Sequence, residues 1–267
     1  MRGMTLKFRF IAAAFALAML ILITGCSSSR SAVQPELDPE LANLTKEQIF
    51  ARADELYAQK KWSRSRKFYS HVYEYYPNDP LGRRGLLRVA DTYFQQGDPI
   101  NLIEAQYKYR DFVNRYPASE NADYAMLQIA MVAFKQMEGP ERDQTKTREA
   151  ITKLEEMLAA YPDSPLRPEA EERMREARGR LARADHAVAE FYLKRGNPRA
   201  ALGRLNYLVE TYPAYEQRPK VFFDLGRALE GLGRLGEARL YYERVIAEFP
   251  DSGWAKDAKE RLGSLDA

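Results

Sequence analysis

The chain has 267 residues, 45% of them apolar and 12% aromatic, which is ample for a packed core and excludes a globally disordered protein. Its formal charge of +3 comes from Arg2, Lys7 and Arg9 close to the N-terminus, and beyond Cys26 basic and acidic residues balance. The bulk of the chain therefore lacks the positive footprint of a nucleic-acid binder, and no nucleic acid is expected as a partner. Cys26 is the only cysteine, so no disulfide framework is available.

The three basic residues precede an unbroken apolar run of 14, Phe10 to Ile23, and then Thr24-Gly25-Cys26. Charge, a short apolar run and small residues make up the layout of a secretory signal. A run of this length falls short of the roughly 20 residues a spanning helix needs. Ile23-Thr24-Gly25-Cys26 resembles the bacterial lipobox, which implies cleavage before Cys26 and lipidation of the new N-terminus. The alternative is an ordinary secretory signal that ends by chance in a cysteine. Several acyl chains hold far better than one, since each buried CH₂ contributes about 0.8 kcal/mol. Ser27, rather than Asp, follows the cysteine; resemblance to Gram-negative lipoproteins then implies transport to the outer membrane. Residues 1–25 read as signal peptide and 26–44 as lipidated cysteine plus flexible tether. Ser27 to Leu44 shows no sustained periodicity and could extend at most about 60 Å.

Helical periodicity starts at Thr45-Lys46-Glu47-Gln48, a capping-box pattern, with Ile49, Ala53 and Leu56 on one face. Tyr69 and Val72 fill the next helix. Asp79-Pro80 and Asp98-Pro99 each read as an N-cap followed by a first-turn proline, the second helix turning Ala105, Tyr109 and Phe112 inward. Ser119 opens a helix with Tyr124, Leu127, Ala130 and Phe134. A polar loop, Gly139 to Thr147, leads to a helix carrying Ala150, Leu154 and Met157. Leu166 to Lys194 predicts one helix roughly 40 Å long joining the first repeats to the last. Met174, Ala177, Leu181, Ala184, Val188 and Phe191 form its expected apolar face, and Glu169–Arg173, Glu171–Arg175 and Glu176–Arg180 pairs its solvated face. Ala189, Tyr192, Ala201, Leu205 and Leu208 complete that unit. Ser252 to Leu265 predicts a short capping helix.

The units share an ending: Tyr76-Pro77, Tyr116-Pro117, Tyr161-Pro162, Tyr212-Pro213 and Phe249-Pro250, with prolines 40, 45, 51 and 37 residues apart. Val221 to Pro250 resembles a tetratricopeptide repeat, with Phe222, Leu225, Gly226, Ala238, Tyr242 and Pro250 at the pattern positions. It departs at Leu229, where Tyr is usual, and at Val245, where Ala is usual. Gly226 and Ala238 sit where two helix axes approach closely. The fold expected is all-α: an α-solenoid of about five tetratricopeptide-like helix pairs with a concave binding surface. Repeats 1–3 would occupy 45–163, and repeats 4–5 with the capping helix 164–267.

Chemistry is not expected. His71 and His186 are the only histidines and lie in different repeats, so neither a triad nor metal-ligand spacing emerges; each reads as a helix-surface or interface residue. Gly231-Leu232-Gly233-Arg234-Leu235-Gly236 satisfies G-x-G-x-x-G, but that fingerprint binds dinucleotides only between a strand and a helix, and both flanks here are helical. The reading is a turn, with no catalytic residue, metal or cofactor, and no enzyme.

Two stretches carry a narrower resemblance. One is Phe112-Val113-Asn114-Arg115-Tyr116-Pro117 followed by Asn121-Ala122-Asp123-Tyr124; the other is Val188-Ala189-Glu190-Phe191-Tyr192-Leu193-Lys194-Arg195-Gly196, continuing to Ala201 and Arg204. With the lipobox, they resemble the BamD family, the lipoprotein of the β-barrel assembly machinery. Phe191 in place of the usual Tyr and the Gly139–Thr147 loop are departures. The resemblance implies an outer-membrane lipoprotein facing the periplasm. Its C-terminal repeats would dock a BamA-type barrel subunit, alongside the other lipoproteins of the complex, and its N-terminal repeats would receive unfolded outer-membrane protein segments. Tyr192, Arg195 and Arg204 are the docking candidates. Groove-facing repeat positions hold Phe50, Asp54 and Tyr57, then Arg84, Leu87, Asp91 and Phe94, then Tyr124, Leu127, Met131 and Phe134. Aromatics with scattered charges suit an extended peptide with aromatic anchors; alternatively, half of these residues pack between neighbouring helices. A scaffold of another envelope machine, for cell division or peptidoglycan, is the competing class.

Overall fold

The computed structural model describes residues 41 and 43–265. The signal segment, Cys26 and most of the expected tether lie outside the described residues. The chain divides into units 1–45 and 46–267. In the first, the Leu44 amide donates to the Leu41 carbonyl at 3.3 Å, closing a turn. The second contains eleven helices, and no strand occurs among the described residues. They are α1 (Lys46–Ala58), α2 (Trp62–Tyr75), α3 (Pro80–Gln96), α4 (Pro99–Arg115), α5 (Ala122–Lys135), α6 (Thr145–Ala160), α7 (Arg167–Lys194), α8 (Pro198–Thr211), α9 (Arg218–Gly231), α10 (Leu235–Glu248) and α11 (Gly253–Leu265). Each packs on the next, and α1 also meets α3, α7 meets α9, and α9 meets α11. This is the expected all-α solenoid of helix pairs. No helix among the described residues is long and apolar enough to cross a membrane.

The boundaries follow from local chemistry. Asp79 accepts from the Leu81 amide at 2.9 Å and Asp98 from the Asn101 amide at 3.1 Å, each ahead of a first-turn proline; both satisfy amides that have no intrahelical partner. The aromatic-Pro endings close the helices and also link the units. Tyr116 donates its hydroxyl to the Pro77 carbonyl at 3.0 Å, and Tyr161 to the Pro117 carbonyl at 3.3 Å. Gly226 is required by contact: a Cβ there would overlap the ring of Tyr242, a fully buried residue. The glycine-rich stretch is the turn between α9 and α10, with Gly233 at φ 73°, a conformation that suits glycine.

Two local expectations need correction. α6 starts at Thr145, inside the expected Gly139–Thr147 loop. The reason is Gln144, which is buried and donates to the Gly139 and Arg142 carbonyls at 2.7 and 3.1 Å while accepting from the Thr147 hydroxyl at 2.9 Å. A side chain thus closes the loop and opens the helix. On α7, of the three expected ion pairs only Glu176–Arg180 forms, at 3.8 Å; Arg175 pairs with Glu172, and Glu171 with Arg167.

The larger correction concerns which face of α7 is buried. Ala170 and the partly buried Met174 face α5 and α6, joining Leu127, Leu154 and Met157, and Ala177, also buried, continues their stripe. Further along, the seam moves round the helix by one residue, so that Ala182, His186 and Ala189 are buried against the C-terminal pairs. One residue is about 100° of rotation on a helix. Straight continuation of the first seam would run through Leu181, Ala184, Val188 and Phe191, but Val188 is 38% and Phe191 53% exposed. The periodicity was that of one face, whereas α7 packs on different neighbours at its two ends.

Candidate docking cleft and interhelical charge network

Because the seam shifts, the apolar residues left on α7 floor a cleft of about 950 Å³ between α7, α8 and the loop leading into α6. Leu181, Val188 and Phe191 supply apolar surface, Tyr207 and Tyr212 come from α8 and its end, and Arg142, Arg148 and Arg204 stand around it. The loop is held over α7 by Arg180, whose guanidinium donates to the Met137 and Glu138 carbonyls at 3.3 and 3.2 Å. Arg204 is exposed and has no ion-pair partner among the described residues. Burial, then the negative charge of nearby Asp185, pushes the Tyr212 hydroxyl up, so it remains a neutral donor.

The sequence-predicted docking residues meet here in part. Tyr192 and Arg204 both line the cleft; Tyr192 also packs on the C-terminal core. Arg195, at the end of α7, lies 5.3 Å over the Phe191 ring, which in turn stands edge-on to Tyr192. Val188, Phe191, Tyr207, Arg142 and Arg148 were missed. Phe191 and Val188 were legible as apolar, but their stripe pointed inward; the arginines belong to a segment whose path local patterns do not give.

The groove candidates spread over α1, α3 and α5. Phe50, Leu87 and Leu127 are buried, as is Asp91 at 4% exposure. The others are at least partly accessible, yet several are matched within the chain. Arg84 lies 5.0 Å over Phe50, Arg88 4.6 Å over Tyr57, Lys135 4.7 Å over Phe94 and Arg173 5.6 Å over Phe134. Asp91 accepts from Tyr109 at 2.6 Å, Tyr124 at 2.9 Å and Arg88 at 3.2 Å. Arg88 reaches Asp54 at 3.4 Å, and Asp54 accepts from Tyr69. The network crosses α1 to α5. Burial first, then the Asp91 charge, raises the Tyr109 and Tyr124 hydroxyls well above their ordinary range. Arg88, Tyr69 and Tyr109 are not among the sequence candidates: Tyr69 and Tyr109 meet their partners on other helices, and Arg88 joins Asp91 on α3 to Asp54 on α1.

A second charge cluster joins α7 to α9. His186, 3% exposed, places Nε2 3.0 Å from Asp224 Oδ2, 1% exposed; a carboxylate can only accept, so the imidazole donates. Lys220 pairs with both Glu190 and Asp224, and Arg227 reaches Asp224 at 3.2 Å. Ligand-type atoms of His186, Glu190 and Asp224 lie within 4.8 Å of one another, a proximity that spacing did not reveal. The Lys220 ammonium already supplies the positive charge between the two carboxylates.

Burial alone would raise the Asp224 carboxyl, but the His186 hydrogen bond and Lys220 together bring it below its ordinary value. A depressed carboxyl adds stability above its unfolded pKa of about 4, and that contribution is lost as pH falls through the folded value. Asp224→Asn should therefore flatten the acid limb of a stability–pH curve, read by urea melts from pH 7 to pH 3; an unchanged limb would contradict the assignment.

Residues 42–240 match the YfiO outer membrane lipoprotein family. Curated relatives carry the name outer membrane protein assembly factor BamD. One from Vibrio cholerae is 26% identical over 230 residues, 82% of this chain and 90% of its own. Another from Xylella fastidiosa is 25% identical over 256 residues, 91% and 83% of the two chains. A third from Caulobacter vibrioides is 25% identical over 201 residues, 75% of this chain but less than two thirds, 65%, of its own. Among solved structures, the TPR2AB-domain:pHSP90 complex of yeast Sti1 superposes with a TM-score of 0.44 at 14% identity, covering 80% of this chain and 81% of that one. The chain belongs to the YfiO outer membrane lipoprotein family.

Proposed function

We propose that the chain is a non-enzymatic scaffold of an outer-membrane β-barrel assembly complex, anchored by lipid on Cys26 and facing the periplasm. The family match over residues 42–240 carries this reading. In it, the cleft on α7 and α8 docks a BamA-type barrel subunit beside the other lipoproteins of the complex. Tyr192 and the apolar floor give contact area, and Arg204 pairs with a carboxylate of the partner, where a guanidinium can bond bidentately. Arg195 holds the Phe191 ring in place. The face of α1, α3 and α5 receives segments of unfolded outer-membrane proteins through the accessible Asp54, Tyr57, Arg84, Phe94, Tyr124, Met131 and Phe134. Phe50, Leu87, Asp91 and Leu127 hold that face in shape. No covalent step is required of any of these residues.

Anchoring is tested by Cys26→Ala in cells, followed by membrane fractionation and labelling with radioactive fatty acid. The variant is expected to lose the label and leave the outer-membrane fraction for the soluble one. A variant that stays membrane-bound, or a wild-type chain that takes up no label, would contradict the lipid anchor. Affinity capture of the wild-type chain from detergent-solubilised membranes is expected to recover the barrel subunit; recovery of a cell-division or peptidoglycan complex in its place would overturn the assembly role.

A further inference from the structure

The C-terminal half of α7 carries apolar residues on two sides. It buries Ala182, His186 and Ala189 and leaves Val188 and Phe191 exposed. Tyr192 and Leu193 pack partly on the same core as the two alanines, so apolar area alone does not single out this side over the one with Val188 and Phe191. The contact that does so is directional: His186 donates to Asp224 of α9, and the imidazole lies edge-on to Tyr215, with ring centroids 5.9 Å apart. One helical turn further on, Glu190 engages Lys220, which also holds Asp224. Places where a chain departs from its local pattern are where function is commonly built.

We propose that His186 and Asp224 form a positioning pair that fixes the rotation of α7 and so keeps Val188 and Phe191 facing outward as the floor of the docking cleft. The pair touches no partner itself; it acts through the helix. The consequence for docking rests on the function proposed above, whereas the helix orientation does not.

The experiment uses full-length chain carrying Val188→Cys, with modification by a thiol reagent measured by mass spectrometry of the peptide that contains residue 188, so that Cys26 does not contribute. Adding His186→Leu removes the donor and is expected to slow modification roughly tenfold, as the apolar face turns in and opens only transiently. His186→Gln, which retains an N–H donor, is expected to stay within about twofold of the parent rate. Should His186→Leu fail to fold by circular dichroism, His186→Phe keeps a ring without a donor and carries the same expectation. Equal modification rates in donor-free variants and parent would overturn the positioning pair. In chains retaining Val188, capture of the barrel subunit is measured in parallel. Slowed modification with a capture loss of about tenfold supports both ideas. Slowed modification with full capture supports the positioning pair and removes the cleft from docking.

Discussion

Asp91→Ala is expected to cost about 3–5 kcal/mol, because it removes the acceptor from a buried ionic network and leaves the other members without a partner. The Tyr109 hydroxyl would lose its bond inside the core, Tyr124 its bond at the α3–α5 contact, and Arg88 one of its two carboxylates. Each stranded polar group carries its own desolvation cost of about 1–3 kcal/mol. Tyr109→Phe removes a single donor and leaves Asp91 with two others, so about 1 kcal/mol is expected. Urea unfolding followed by circular dichroism compares the two variants. A cost for Asp91→Ala no greater than that of Tyr109→Phe would show that the network is not what ties α1 to α5. In a stacked array the damage should concentrate in the N-terminal pairs, since each repeat contacts only its neighbours.

Arg204→Glu carries the largest expected effect on function. The residue is exposed and unpaired among the described residues, so reversal should leave the melting curve within about 0.5 kcal/mol of wild type. Against an acidic partner surface, the same change replaces attraction with like-charge repulsion, which costs several kcal/mol at an interface. Capture of the barrel subunit is expected to fall by about a hundredfold or more, since each factor of ten corresponds to about 1.4 kcal/mol. Arg204→Ala should fall in between. Equal capture by all three chains would contradict docking through this arginine.

Much of the fold is legible in the amino-acid sequence. The aromatic-Pro endings mark the helix pairs, because each closes a helix locally, and the tyrosines of two of them, Tyr116 and Tyr161, then reach the preceding unit. Asp79 and Asp98 announced their helices, since capping is a matter of neighbours in sequence. What failed was long-range. The α7 pattern fits one continuous stripe, and nothing local says that the helix changes partners midway. Gln144 reads as an ordinary loop residue until its side chain is seen closing three hydrogen bonds. The His186–Asp224 contact joins residues 38 positions apart on different helices, so no spacing rule could single it out. For the groove, pattern positions identified which residues face neighbouring helices but did not distinguish those that reach solvent from Leu127 and Asp91, which do not.

The most direct test of the scaffold reading is site-specific photocrosslinking from position 207 in intact cells, with the exposed position 240 on α10 as a control. A photoreactive residue replacing Tyr207 should crosslink to the barrel subunit of the assembly complex, and one replacing Leu240 should not. Crosslinks from position 207 only to proteins of a different envelope complex, or none above the level at position 240, would contradict it.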